Sequence, residues 1–321
     1  MSWLKDIGMN TRHLVDPEVL PILELFPPVE LNLETLAQLR QVAPFSDVAP
    51  TPEQIPELVR VPGPDGAPDV PLRIFKPRAQ RAGRPAIFHI HGGGYVSGSA
   101  AMGDLANGAR AAEHDAVVAS VDYRVAPEDR FPCAIEDCYA GLRWLADNAV
   151  RLGVDPDRIA IMGESAGGGL AAALALLARD RGGPKISAQF LICPMLDHRT
   201  GGADDVRQNH TVGEFIWTRQ NNQFGWSCLR GEQNIDPDRI HHFSPSLAKN
   251  VAGLPRCYMA AGSLDLFLEE DIDYALRLVR AGVAVELHSY AGAIHAFDLV
   301  REASVSRCFA ADLANCLKRW L

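Results

Sequence analysis

The chain has 321 residues, of which 47% are hydrophobic and 22% charged, with a net charge of −9. So apolar a chain with so little charge per residue is not disordered. Its longest apolar runs, such as residues 169–178, fall well short of the roughly 18 residues of a membrane-spanning helix. No basic stripe answers a phosphate backbone, which argues against nucleic-acid binding. The first ten residues lack a basic stretch followed by an apolar one, so no signal peptide is expected. Seven cysteines, an odd number with no CxxC spacing, suit reduced, core-filling thiols and a cytoplasmic location.

The length fits two domains, or one α/β domain with insertions. The first 50 residues have a helical pattern broken by prolines. Asp16-Pro17 predicts a helix start, and Leu33, Leu36, Leu39 and Val42 fall at helical spacing. Pro44, Pro50, Pro52, Pro56, Pro62, Pro64 and Pro68 then punctuate the chain. Residues 58–61 and 70–75 read as two strands around a turn at 64–66. Apolar strands follow at 86–90, 116–121, 159–162, 186–193, 257–261 and 283–289. Helical stretches are expected at 166–178, 269–281 and 305–321. Continuous apolar strands separated by amphipathic helices predict a mostly parallel sheet covered on both faces. Residues 197–246 break this rhythm, polar at first and then rich in aromatics (Phe215, Trp217, Phe224, Trp226). They read as an insertion that joins the N-terminal helices to form a cap. The four aromatics either line a pocket or fill the cap's own core.

The strongest chemical signal is Gly163-Glu164-Ser165-Ala166-Gly167, set between a strand and a helix. A sharp strand-to-helix turn lifts a serine clear of the sheet, and small flanking residues make so tight a turn possible. The helix N-terminus favours developing negative charge. His91-Gly92-Gly93-Gly94 follows the strand at 86–90. Its glycines can turn backbone N–H groups inward as an oxyanion hole, together with the N–H of Ala166. The spacing fits neither phosphate-loop pattern. A serine nucleophile needs a base, and the base an orienting acid. His295 stands on a small-residue loop after the strand at 283–289, and Asp265 follows the strand at 257–261. Glu269, Glu270 and Asp271 are rivals for the acid, read as first-turn helix charges. The order Ser165, Asp265, His295 is that of the α/β-hydrolase arrangement. His91 and Gly92 are expected to be structural, and Glu164 to brace the serine turn. Asp122 and Arg124 are expected to form an ion pair. His241 and His242 have no partner at metal-ligand spacing in the sequence, and no metal motif is present.

With these pieces in order, and with Asp122-Tyr123-Arg124-Val125-Ala126-Pro127-Glu128 and His295-Ala296-Phe297, the chain resembles the hormone-sensitive-lipase-like esterases, the bacterial family IV. The resemblance runs from about residue 58 to the C-terminus. It implies an α/β-hydrolase fold with an eight-stranded, mostly parallel sheet flanked by helices and a helical cap. It also implies oxyanion donors at Gly93, Gly94 and Ala166, short acyl substrates, no cofactor, and a homodimer paired through a sheet edge. Glu164, Val125, Leu266 and Ala296 depart from the family's usual residues. The division expected is residues 1–50 as the N-terminal part of the cap and 51–196 as the first part of the core. Residues 197–246 are then the cap insertion and 247–321 the second part of the core.

The activity expected is a serine carboxylesterase acting on a small-molecule ester through an acyl-enzyme. No metal, nucleic acid or membrane is expected to take part. An amide, lactone or carbamate hydrolase, or a deacetylase, would use the same groups. A non-catalytic receptor on this scaffold is a third alternative.

Overall fold

The computed structural model describes residues 10–41, 54–64, 66–79, 81–207 and 209–321. Its centre is one sheet of eight strands: β1 Glu57–Val61, β2 Val70–Phe75, β3 Arg84–Ile90, β4 Val117–Val121, β5 Val154–Glu164, β6 Ala188–Ile192, β7 Arg256–Gly262 and β8 Val285–Tyr290. Their order is β1-β2-β4-β3-β5-β6-β7-β8. Only β2 runs antiparallel to its neighbours; from β4 to β8 every pairing is parallel. This is the mostly parallel sheet that the apolar strand pattern predicts.

Side chains alternate between two cores, as period-two strands buried on both faces must. On β3, Ala86, Phe88 and Ile90 enter one core and Ile87 the other; on β5, Ile159 and Ile161 oppose Ala160 and Met162. Helices α4 (Cys133–Asp147), α5 (Ala166–Asp180) and α8 (Leu268–Arg280) supply the first core. Helices α3 (Asp104–Glu113) and α9 (Ser304–Trp320) supply the second. All seven cysteines are free, and five are buried. No described helix is long and apolar enough to cross a membrane.

β5 is longer than the apolar signal at 159–162 suggests. Its first half, Asp155-Pro156-Asp157-Arg158, is polar and largely exposed. The ladder with β3 breaks between Arg84 and Ala86, so those residues are carried by a bulge rather than by core packing. Near the N-terminus, the helix expected at Asp16-Pro17 is replaced by turns, and helix α1 spans only Ile22–Leu25. The Asp16 carboxylate does accept the Glu18 N–H at 2.8 Å. Pro21, however, has no N–H with which to continue the ladder. Helix α2 is Leu33–Leu39, closed at its start by an Asn32–Thr35 capping box. Of its expected apolar stripe only Leu36 is buried; Leu33 and Leu39 are exposed. Val42, Pro44, Pro50 and Pro52 lie outside the described residues, as does Asp65 at the centre of the expected turn.

The stretch between β6 and β7 carries helices α6 (Arg219–Arg230) and α7 (Ile240–Phe243). The N-terminal segment is bonded to it. Asn221 on α6 accepts the Leu31 N–H and donates to the Val29 carbonyl, both at 2.9 Å. Thr11 donates its N–H and its hydroxyl to Glu214 at 2.7 and 2.5 Å.

Candidate active site

Ser165 sits between the end of β5 and the start of α5 with φ 55° and ψ −121°. Such a backbone costs a non-glycine residue about 1–3 kcal/mol and persists only where its surroundings impose it. The Ser165 N–H bonds the Ile192 carbonyl at 2.8 Å, and the Ser165 carbonyl accepts from Gly169 and Met195. The flanking glycines have a steric cause. A Cβ on Gly163 would lie 2.2 Å from the Gly167 carbonyl oxygen, and one on Gly167 would lie 2.1 Å from that of Ile90.

The Ser165 hydroxyl lies 3.0 Å from His295 Nε2. On the other side of the ring, His295 Nδ1 donates to Asp265 Oδ2 at 2.7 Å. Asp265 is 1% exposed, and its second oxygen accepts the Phe267 N–H at 3.0 Å. The three residues come from the ends of β5, β7 and β8, so the parallel sheet gathers them at its carboxyl edge. Burial alone would lower the His295 pKa, but the charge and hydrogen bond of Asp265, with the charge of Asp298, outweigh it. The net direction is above the ordinary 6.5. Cys193 lies beside this pair, its sulfur within 4.8 Å of the His295 and Asp265 donor atoms. Burial holds it as a thiol.

The glycine loop faces the serine. Gly93 and Gly94 have φ of 124° and 62°, values that L side chains rarely adopt. A Cβ on Gly93 would strike the Ser97 carbonyl at 2.1 Å, and one on Gly94 would meet the Trp217 ring at 2.0 Å. Among the described residues, the N–H groups of Gly93, Gly94 and Ala166 have no protein acceptor. The aromatics of residues 197–246 divide. Trp226 is buried and packs on Tyr95 and Phe243. Trp217 covers Gly94, its indole N–H held by Asn222 at 3.1 Å.

His91 is buried, stacks on Tyr123 with ring centroids 4.2 Å apart, and donates from Nδ1 to the Gly92 carbonyl at 2.8 Å. Burial lowers its pKa to about 4, so the ring stays neutral. Glu164 reaches strand β3 and helix α3. It accepts from His89 Nε2 at 2.9 Å and from Arg110 at 3.4 Å. Burial opposes its ionisation, but His89 and Arg110 together hold the carboxyl well below the ordinary range.

Two local expectations are corrected. Asp122 and Arg124 do not pair. Asp122 accepts the Ala100 N–H at 2.8 Å, whereas Arg124 grips Asp137 at 2.7 Å and Asp129 at 3.4 Å. Asp137 is the better partner because it is buried on α4 and presents both oxygens to the guanidinium fork. Glu269, Glu270 and Asp271 do lie in the first turn of α8, and Glu270 and Asp271 are buried there, at 1% and 0% exposed. Glu270 accepts the Leu196 and Asp197 N–H groups and the Thr200 hydroxyl, tying the start of the insertion to α8. His241 and His242 do have a third partner, since Asp180 at the end of α5 reaches both.

Two positioning residues were not singled out from sequence. His89 is a buried polar residue inside the otherwise apolar strand β3, so its residue type there was a usable signal. Arg40, which ends α2, had none. Its guanidinium bonds the Val96 and Ala126 carbonyls, both at 2.7 Å, and pairs with Glu128, clasping the turn that carries Gly93 and Gly94.

The fold and this arrangement define an α/β hydrolase, and the chain belongs to the alpha/beta hydrolase fold family, which it matches over residues 87–299. It is 33% identical over 296 residues to the carboxylesterase NlhH of Mycobacterium tuberculosis, covering 89% of each chain. To the arylesterase of Saccharolobus solfataricus it is 34% identical over 232 residues, covering 71% of this chain and 73% of that one. Among solved structures it resembles a bacterial heroin esterase, with a TM-score of 0.87 and 38% identity over 96% of this chain and 98% of the other.

Proposed function

We propose that this protein is a serine carboxylesterase acting on short- to medium-chain acyl esters. The observation that carries it is the hydrogen-bonded line from Asp265 through His295 to Ser165. Ser165 Oγ attacks the ester carbonyl carbon while its proton passes to His295 Nε2. Asp265 fixes the tautomer and stabilises the imidazolium. The N–H groups of Gly93, Gly94 and Ala166 bind the oxyanion. The tetrahedral intermediate collapses, the carbon–alkoxide bond breaks, and the leaving alcohol takes the proton from His295. Water then attacks the acyl-serine by the same route, releasing the acid and restoring Ser165. His91, Gly92 and Glu164 position this machinery without touching substrate. The N-terminal segment and the 197–246 insertion act as one cap, on the strength of the Asn221 and Glu214 bonds between them.

The test is a panel of aryl esters with two to twelve acyl carbons, run beside matched amides. We expect turnover of the shorter esters above all, and a loss of about a millionfold in kcat for Ser165→Ala. A phosphonate ester should add its mass to Ser165 in the intact protein. No adduct would favour a receptor, and amide turnover matching ester turnover would favour an amidase.

A further inference from the structure

Away from the triad, the described residues bring three ligand-type side chains to one point where α7 packs on α5. Asp180 ends α5, the helix whose first turn follows Ser165. His241 and His242 are neighbours on α7, within the insertion. Their Nε2 atoms converge on a single oxygen, Asp180 Oδ2, at 2.9 and 3.1 Å. All three donor atoms lie within 4.8 Å of one another.

That spacing is the spacing of a coordination shell. With metal–ligand bonds of about 2.0–2.2 Å, adjacent donors around one ion stand roughly 3 Å apart. The two rings are tilted by 52° at a centroid separation of 4.0 Å, so their nitrogens approach the carboxylate from different directions. Arg179 occupies the other oxygen, Oδ1, at 2.8 Å, which leaves Oδ2 to the histidines. The neighbouring cations are engaged elsewhere. Arg239 and Arg181 both pair with Glu136, at 3.3 and 2.7 Å. The Asp180 and His241 side chains are 31% and 22% exposed, so an ion has a way in from solvent.

We propose that Asp180, His241 and His242 form a binding site for a divalent transition-metal ion of the zinc, cobalt or nickel class. Two imidazoles and one carboxylate suit these borderline ions, and water completes the shell on the solvent side. On binding, each neutral imidazole shifts its proton from Nε2 to Nδ1 by exchange with water, which frees the Nε2 lone pair for the ion, and the ion replaces both hydrogen bonds to Asp180. The ion then joins the end of the core helix α5 to the insertion, steadying the cap without entering the reaction.

The site is tested on the full chain, first dialysed against a chelator. Calorimetric titration with zinc chloride should show one ion per chain and raise the thermal unfolding midpoint. Titration with cobalt chloride should give visible bands of nitrogen and oxygen ligation, with no near-ultraviolet thiolate band. His241→Ala, at the exposed side of the site, and the isosteric Asp180→Asn should each lose the ion while keeping ester turnover and the far-ultraviolet spectrum of the fold. Absence of binding overturns the proposal. So does binding unchanged in both variants, and so does a cobalt–thiolate band, which would place the ion at cysteine.

Discussion

At the scale of single residues, the proposed chemistry depends on the protonation of one ring. His295 works as a base only when neutral, and Asp265 and Asp298 shift its pKa upward. A raised pKa keeps the ring protonated, and so inactive, to higher pH. The acid limb of kcat/KM should therefore lie above pH 6.5, the ordinary imidazole value. A limb at or below it in a pH–rate profile contradicts the proposed role. The oxyanion loop offers a second check. A Cβ at Gly94 meets Trp217 and a backbone at positive φ, so Gly94→Ala must displace the loop. Losing one oxyanion donor typically costs about 10²–10³ in kcat, and steady-state kinetics on a short aryl ester should show a fall of that order. KM should change much less.

At the scale of elements, α8 shows how burial and charge compete. Asp271 is fully buried with neither oxygen partnered. Burial first, and then the nearby Glu270 and Asp265 charges, raise its pKa well above the ordinary 3.8. A raised carboxyl pKa favours folding at low pH, and that contribution is lost as pH rises from 3.8 through the folded value. Asp271→Asn removes the titration. Relative to wild type, the Asn variant should gain up to about 1.4 kcal/mol per pH unit across that window. Urea unfolding at pH 4, 6 and 8 measures this, and a gap between the two proteins that stays constant would contradict it.

At the scale of the whole molecule, the proposed cap depends on the N-terminal segment meeting α6. Asn221→Ala leaves the buried Leu31 N–H without its partner, at a cost of about 1–3 kcal/mol, and frees the carbonyl of the exposed Val29 to water. The N-terminal segment should then loosen from α6. Faster proteolytic cleavage within residues 10–41, with a raised KM and a little-changed kcat, is the expected outcome. Cleavage at the wild-type rate would show that the two segments do not act as one cap.

The strands, the serine turn and the glycine loop were legible because each is local, and the order of Ser165, Asp265 and His295 because each stands in a loop or turn just after an apolar strand. A continuous apolar run fixes a two-sided strand, and three adjacent glycines announce backbone that needs unusual φ. The polar half of β5 was not legible, because a bulge carries no hydrophobic period. Nor were the partners of Arg124, Arg40, His241 and His242. A long charged side chain finds its mate by where the fold puts it, and Asp137, Val96 and Asp180 lie 13, 56 and about 60 residues away in sequence. The sequence alone determined the layers of the molecule and the chemical identity of its site, since both follow from residue type and short-range spacing. Tertiary structure alone decided which charges pair, which carboxyls are buried and which aromatic covers the oxyanion loop. Those depend on distances set only when the helices and loops pack against the sheet and one another.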